Sequence, residues 1–550
     1  MPPCVLYEDD HLLVVHKPPG WNTHAPSPWA GQGLYEWLRD REPRWANLAI
    51  IHRLDKETSG VMVFSKSARA NRSLTDQFAT RRVTKRYVFW TDRPPSRRSW
   101  LARNTLIRSG SRQMAQPART GQPLAETRFE VHPEPQIVQA IGPGAPSNLY
   151  KTYVWTGHAW PMSGRTHQIR AQAAAAGMPV LGDALYGGSP WVRLCLHAEE
   201  LGFYHPVTNA FVRFTAPAEF HVWPGRLLRQ ALIEAEWTDA YRWIHGAADG
   251  WPGWYVDRLG NSFLSQSESD WSEALGTRLT QLGVSRDLPQ TIYHKVLRRQ
   301  LSRCTPGEAA PRCVQGPSMD QPVLIRENGL RFEIRLQEGY SVGLFLDQRE
   351  NRRRLLTGYI SHDFHLFDGR HPESRETLHV LNAFAYTCGF SVAAAQAGAR
   401  VTSLDLSRRY LEWGRRNFQH NGIDPSMHLF VRGDVRDWLQ RWERRAQHFH
   451  CILLDPPTFS RSKEGGVFQV KKDLPALVTV AARILRSHGV LFVSSNAADW
   501  PASDFVDTIL RAVRVAGRQC ARDHYVPQPP DFPVHAQEPA YLKTLWCRLD

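Results

Sequence analysis

From His379 to Ser495 the chain alternates apolar runs of strand length with amphipathic stretches of helical length. This alternation constrains the fold more than any other feature, because strands that return in the same direction need a crossover helix each time. The runs predict strands over His379–Phe384, Arg400–Leu404, 428–432, His450–Leu454 and 490–495, with helices over Ser391–Gly398, 407–421 and 471–487. The reading is an open, doubly wound parallel sheet. Asp405 follows the second strand, where a carboxylate can accept both hydroxyls of a ribose. The tight turn after the first strand, A-Y-T-C-G-F from Ala385 to Phe390, lets backbone approach a ligand closely. A dinucleotide-binding turn would read G-x-G-x-x-G; this one holds only Gly389, which disfavours a nicotinamide cofactor. Upstream, L-F-L-D-Q-R-E-N-R-R-R (Leu344–Arg354) places Glu350 and Arg354 four apart and predicts a helix with a basic surface.

Three strings sharpen this reading: L-N-A-F-A-Y-T-C-G-F-S from Leu381, L-D-P-P-T-F-S-R-S-K from Leu454, and F-V-S-S-N from Phe492. Over about residues 325–550 the chain resembles class I S-adenosylmethionine methyltransferases, in detail the RlmI/RlmK group acting on 23S ribosomal RNA. The resemblance implies S-adenosyl-L-methionine as cofactor, with Asp405 on its ribose and Asp434 on the adenine edge. It places Asn382, Ala383 and Gly389 on the methionine side, Gln348 and Arg349 at the cofactor carboxylate, and Asp455 against the cofactor. Pro456, Pro457, Thr458 and Phe459 would then shape the pocket for the target base. The family usually has Gly where Cys388 stands.

The N-terminal 220 residues make sense around one aspartate. In I-H-R-L-D-K-E-T-S-G (Ile51–Gly60), Asp55 falls between apolar runs at Leu48–Ile51 and Val61–Phe64, which predicts a turn between two strands. His52, Arg53 and Lys56 crowd it with basic groups, and nearby positive charge favours the ionised carboxylate that a nucleophile or base requires. P-M-S-G-R-T-H-Q-I-R (Pro161–Arg170), P-V-L-G-D-A-L-Y-G (Pro179–Gly187) and L-H-A-E-E-L-G-F-Y-H-P (Leu196–Pro206) follow in order. Together with Y-E-D-D-H-L-L-V-V-H-K-P-P-G (Tyr7–Gly20) and K-R-Y (Lys85–Tyr87), these segments resemble the RluA-type pseudouridine synthases over about residues 5–220.

That resemblance implies uridine isomerisation without metal or cofactor. Asp55 becomes the catalytic carboxylate, Arg165 the arginine that pairs with it, and Tyr87 the ring that stacks on the target base and helps take the C5 proton. Arg53 would fill the gap left by a flipped nucleotide, with Lys85 and Arg86 as further RNA contacts. His167 is expected to be a structural hydrogen-bonder.

Charge supports a polyanionic partner. The chain of 550 residues carries a net charge of +15, and its length suggests about three domains. Residues 1–225 hold 26 Lys and Arg against 17 Asp and Glu, residues 226–330 hold 12 against 12, and residues 331–550 hold 30 against 24. The expected division is therefore a synthase domain over 1–225, a small central scaffold over 226–330 and a methyltransferase domain over 331–550. Arg81–Arg128 has twelve Lys and Arg, only two acids, and Tyr87, Phe89, Trp90 and Trp100 interleaved, which suits RNA held with unpaired bases. Pro133–Pro146 reads as turns around one short strand, Leu227–Trp237 has helical spacing, and Cys304–Gln321 reads as a linker. The run Asp249–Leu259 resembles the small α/β domain that precedes the catalytic domain in RlmI-type enzymes.

Eight cysteines without C-x-x-C spacing argue against zinc and disulfides. No signal peptide or membrane-spanning run is evident, so a reduced, cytoplasmic protein is expected, with no membrane partner. The fold class expected is multidomain α/β: a mixed α+β N-terminal part, a small central α/β domain and a C-terminal Rossmann-like sheet. The function expected is a bifunctional RNA-modifying enzyme whose partner is ribosomal RNA or a pre-ribosomal particle. Making 5-methylcytosine requires a thiolate near the fourth or fifth strand end; the loops there offer Thr458, Ser494, Ser495 and Asn496 but no thiol. Guanine N7 already carries a lone pair and needs only positioning, so it is the expected acceptor. Two alternatives stay open: a ribosome-assembly factor with one inactive domain, and a transfer-RNA-directed synthase fused to a methyltransferase of other specificity.

Overall fold

The computed structural model describes all residues except 119–120, 141, 143–151, 283–290, 298–309, 339–340, 367–377 and 463–465. Asp55 lies, as its flanking apolar runs predict, between strands Ala49–Ile50 and Ser59–Ser65. Every residue of Ser59–Ser65 is buried, because it sits inside a twelve-stranded sheet covered on both faces. Met62 and Phe64 pack with Leu34, Trp37 and Leu38 of helix Leu34–Arg39, while Val61 and Val63 pack with Ala70 and Leu74 of helix Ala68–Ala79. Its pairing with strand Leu196–Tyr204 is the parallel ladder of a sheet otherwise antiparallel among the described residues. Gly60 has φ +135°, and a Cβ there would stand 2.3 Å from the carbonyl oxygen of Ala198, so this crossing requires glycine.

The basic stretch Arg81–Arg128 is sheet rather than loop: strands Thr84–Thr91, Ser99–Ser109, Arg112–Pro117 and Leu124–Val131 run through it. Two of its four aromatics serve the core. Phe89 and Trp100 are buried and pack with Phe129, with Trp100 stacked on Phe129 at 4.7 Å between ring centres. Alternation on a half-buried sheet explains the interleaving that the sequence suggested was for RNA. Arg81, Arg82, Arg98 and Arg112 remain exposed.

Helix Pro224–Leu232 straddles the boundary expected at residue 225, and Leu228, Leu232 and Ile233 belong to the core of the N-terminal sheet. It ends before Trp237, where helical spacing had suggested it would run on. Beyond it, five strands from Ala240–His245 to Arg312–Gln315 form a sheet in sequence order, with helix Glu273–Gln281 in its crossover. Arg312–Gln315 is therefore an edge strand, not linker; residues 304–309 of the expected linker lie outside the described residues.

A hairpin, Val323–Glu327 with Leu330–Ile334, turns on Asn328 and Gly329, both at positive φ as a two-residue hairpin loop demands. The C-terminal sheet has seven strands, in the order Leu429–Arg432, Arg400–Asp405, His379–Ala383, Phe449–Leu454, Leu485–Ser495, Lys543–Leu549 and Cys520–Pro527. The first five are parallel, Lys543–Leu549 runs against them, and Cys520–Pro527, antiparallel to it, runs with them again. Strand order reverses between His379–Ala383 and its neighbours, which opens a ligand crevice at the carboxyl ends there.

Helix Arg349–Thr357 forms where predicted, but its surface is not basic: residues 349–354 are all buried. Arg349 pairs with Asp531 and Arg352 with Glu327, while Arg354 donates to the carbonyls of Glu350 and Ile360. Arg353 donates to the carbonyls of Arg41 at 2.7 Å and Asp40 at 3.1 Å, and Tyr359 Oη to that of Arg39 at 2.9 Å. These are the orphan carbonyls at the C-terminus of helix Leu34–Arg39, a place where buried cations are favoured. No helix among the described residues is long and apolar enough to cross a membrane.

Candidate functional sites

The first site is a small cleft of about 120 Å³ that brings together Arg53, Asp55, Lys85, Tyr87, Arg165, His167 and Arg170. The loop bearing Asp55 is held from below by Lys17. That fully buried ammonium donates to the carbonyls of Pro18, Trp21 and Lys56 at 2.9, 2.7 and 3.0 Å, and burial pushes its pKa down to about 7. The basic neighbours in sequence do not pair with Asp55. His52 stacks on Phe78 at 4.6 Å, and Arg53 and Lys56 are exposed.

The side chains that do approach Asp55 come from the far segment. His167 Nε2 stands 3.8 Å and Arg170 Nη1 3.9 Å from Asp55 Oδ2. His167 is left-handed, with φ 54°, just before helix Gln168–Ala175, so it and Arg170, three residues on, reach the same carboxylate. Its Nδ1 lies 3.0 Å from the Tyr186 hydroxyl, consistent with the hydrogen-bonding role expected of it. Burial lowers the His167 pKa, and Asp55 counters that.

Among the described residues Arg165 makes no ion pair with Asp55: it lies exposed on the cleft rim. Tyr87 sits beneath, its hydroxyl pushed well above the ordinary range by burial and by Asp55. Arg86 is committed to Glu199 at 2.9 Å and Glu200 at 3.5 Å, which weakens its case as an RNA contact. Arg170, Tyr186 and Lys17 were not foreseen as site residues; the spacing of His167 and Arg170 in T-H-Q-I-R was the available signal for the first.

The second site is a cavity of about 420 Å³ at the carboxyl ends of the parallel strands. Phe384, Tyr386 and Cys388 alternate into the left-handed region, with φ 62°, 49° and 64°, in the turn that opens helix Gly389–Gln396. Such alternation turns backbone N–H groups into a shared concavity, and non-glycine residues hold it only where surrounding structure enforces it. Asp405 enforces it: Oδ2 accepts from Tyr386 N and Oδ1 from Ser407 N, both at 2.8 Å. Burial raises the Asp405 carboxyl and those two N–H groups counter it. Asp434 also lines the cavity and caps helix Val435–Arg444 through Arg436 N at 2.8 Å.

Asp455 projects from the end of strand Phe449–Leu454, hydrogen-bonded to Ser494 Oγ and to Gln348 Nε2. Burial lifts its pKa to about 6. Pro456 and Pro457 line the cavity, with Ser460, Phe468 and Asn496 beside them. Thr458 instead hydrogen-bonds to Asn496, and Phe459 points outward, 56% exposed, on hairpin Phe459–Ser462 with Gly466–Gln469.

Three expected cofactor residues fall elsewhere. Asn382 and Ala383 lie one step inside their strand: Asn382 donates to Ser391 Oγ at 2.8 Å, and Ala383 packs in the core. Arg349 spends both guanidinium arms on buried Asp531, at 2.6 and 2.8 Å. Its neighbour Arg352, one helical turn on, faces the cavity instead. Glu327 binds its Nε and Nη2 at 2.6 and 2.7 Å, leaving Nη1 beside Gly389. The remaining donor set fits S-adenosylmethionine: carboxylates at the ends of successive strands for ribose and adenine, and the left-handed turn with Arg352 for the methionine carboxylate.

Comparisons with known proteins agree with both sites. The RNA pseudouridylate synthase family model matches residues 11–175, and the S-adenosylmethionine-dependent methyltransferase family model matches residues 274–548. A ribosomal RNA large subunit methyltransferase of Deinococcus radiodurans is 32% identical over 319 residues, 57% of this chain and 73% of the relative. Ribosomal RNA large subunit methyltransferase I of Klebsiella pneumoniae is 31% identical over 330 residues, 58% of this chain and 76% of the relative. Ribosomal RNA large subunit methyltransferase K of Neisseria meningitidis is 35% identical over 185 residues, 33% of this chain and 48% of the relative.

Proposed function

Because the chain belongs to the S-adenosylmethionine-dependent methyltransferase family and carries an RNA pseudouridylate synthase domain ahead of it, we propose that it modifies large-subunit ribosomal RNA twice, as a bifunctional enzyme. In the N-terminal cleft Asp55 attacks or deprotonates the ribose of a flipped uridine. The base detaches, rotates and rejoins through carbon while Tyr87 stacks on it; its hydroxyl, held protonated by burial and by Asp55, is no base for the C5 proton. Arg170 and His167 hold Asp55 in place, and the exposed Arg165 and Arg53 close on the RNA as it enters.

In the C-terminal cavity, bound S-adenosylmethionine would supply an electrophilic methyl group. Asp405 and Asp434 hold its nucleoside end, and Gln348, Arg352 and the 384–389 turn hold its amino-acid end. Asp455, fixed by Ser494 and Gln348, and Pro456 and Pro457 present the acceptor base. The acceptor we favour is guanine N7. The observation that carries this is the absence of any cysteine among the described residues lining the cavity. Cys388 Sγ is packed against Gly414, and Cys451 is buried in its strand; burial drives the first thiol up to about 12 and the second higher still, away from thiolate. Catalysis by positioning then suffices.

Nucleoside mass spectrometry of ribosomal RNA treated with the purified protein and labelled S-adenosylmethionine tests this. Label in 7-methylguanosine is expected, and label in 5-methylcytidine would overturn it.

A further inference from the structure

The methyl-transfer cavity does not end at its own sheet. Leu344, Phe345 and Asp347 line it and also line a second chamber of about 140 Å³. The far wall of that chamber belongs to the middle sheet, which contributes Arg242, Asp257 and Gln266 from its first three strands. We propose that this chamber is the recognition site for the methyl-accepting base, a guanine, with Asp347 reading its N1–H and N2–H donors and Arg242 and Gln266 facing its O6, so that N7 stays free for the methyl group. The proposal rests on the guanine reading above and gives the middle sheet a role beyond scaffold.

The chemistry of the walls selects the base. Asp347 is half-buried at the partition, and its Oδ2 accepts from the Tyr541 hydroxyl at 3.1 Å. Oδ1 is left toward the chambers with acceptor capacity and no donor among the hydrogen bonds described. A carboxylate matches two adjacent donors, and guanine alone among the four bases offers an N–H and an NH₂ side by side on its pairing edge. Adenine and cytosine would set a ring-nitrogen lone pair against it, and uracil would flank its single N–H with carbonyls.

Arg242 and Gln266, on the same chamber, are pre-oriented by a common anchor. Asp257 accepts from Arg242 Nε at 2.6 Å and from Gln266 Nε2 at 2.8 Å. Arg242 also meets His245 Nδ1 at 3.1 Å, yet each donor group keeps a further N–H for the O6 carbonyl. Phe345, Phe532 and Tyr541 supply flat faces, and Phe345 is 47% exposed at the entrance. A base taken out of its stack is read in this manner, by its pairing edge and between apolar faces. A network serving only to fasten the middle sheet would have no preference among nucleotides.

The test is calorimetric titration of the full-length protein, saturated with S-adenosylhomocysteine, with GMP, IMP and CMP. IMP keeps N1–H and lacks the 2-amino group. GMP is expected to bind at least about 10-fold more tightly than IMP, the worth of one hydrogen bond to a charged group. Asp347→Asn, with its melting temperature checked, is expected to bring that ratio to within about twofold. Gln266→Ala is expected to weaken both nucleotides alike, and serves if the first variant does not fold. Equal binding of GMP and IMP by the unaltered protein, or a preference that survives Asp347→Asn, overturns the chamber. Mass spectrometry of the methylated nucleoside separates the two failures. 7-Methylguanosine without a GMP preference sinks the chamber alone, whereas methylated cytidine with CMP preferred overturns the guanine reading and this proposal with it.

Discussion

Arg170 grips Asp183 through two hydrogen bonds of 2.7 Å and presents its remaining nitrogen to Asp55 at 3.9 Å, so one buried guanidinium ties two carboxylates together. Arg165, in contrast, is exposed and unpaired with Asp55. The two arginines should therefore fail differently. Arg170→Ala leaves Asp183 buried without its partner and is expected to cost about 3–5 kcal/mol of stability. Arg165→Ala should keep the melting temperature and lose most turnover. Thermal denaturation beside a pseudouridine assay separates them, and a severely unstable Arg165→Ala would refute the division.

Asp55→Asn keeps shape and removes charge and nucleophilicity. Pseudouridine formation should vanish while RNA retention on a filter stays within about twofold, because phosphate contacts dominate affinity. Isomerisation by the purified variant would remove Asp55 from the chemistry.

Asp455 makes stability depend on pH. Its folded pKa of about 6 lies above the unfolded value of about 3.9, so the protonated form is favoured by folding. That contribution is complete below the unfolded value and is lost as pH rises through about 6. Asp455→Asn should flatten the decline between about pH 4 and 6 and melt higher than the unaltered protein at pH 7.5, while methylation falls. An unchanged pH profile of melting would show that the carboxyl is not desolvated.

Arg352 holds Glu327 with one side of its fork while Nη1 faces the cavity, a double duty that a point charge cannot copy. Arg352→Lys is expected to weaken S-adenosylhomocysteine about 10-fold in calorimetry, whereas Arg349→Lys should act on stability through Asp531 and leave that affinity nearly alone. Reversed effects would restore Arg349 to the cofactor.

We place the end of the N-terminal folding unit after Ile233 rather than at residue 225. A fragment 1–225 lacks Leu228, Leu232 and Ile233, each worth about 1.5–3 kcal/mol when fully buried. A fragment 1–236 should be clearly more stable in urea; equal midpoints would return the boundary to 225.

The alternation of strand and helix, the turn bearing Asp55 and the acids at strand ends were legible because each is a local pattern. Arg349–Arg354 was not. A run of arginines reads as surface unless its partners are known, and these partners, Glu327 and Asp531 among them, are scattered through the sequence. Phe89 and Trp100 were misread for a related reason: period-two burial in a basic strand looks like an RNA platform until the other face is seen. Asn382 shows the limit of motif transfer, since a motif marks a turn without saying which of its side chains faces the ligand.

Helix Arg349–Thr357 meets the carbonyls of Asp40 and Arg41 through Arg353 and borders the methyl-transfer cavity through its neighbour Arg352. Fastened this way, the two clefts keep a set separation instead of swinging on a tether. An RNA engaged by both at once would be gauged as with calipers: only nucleotides a fixed span apart in the folded RNA could be modified in a single visit, however far apart they stand in its sequence.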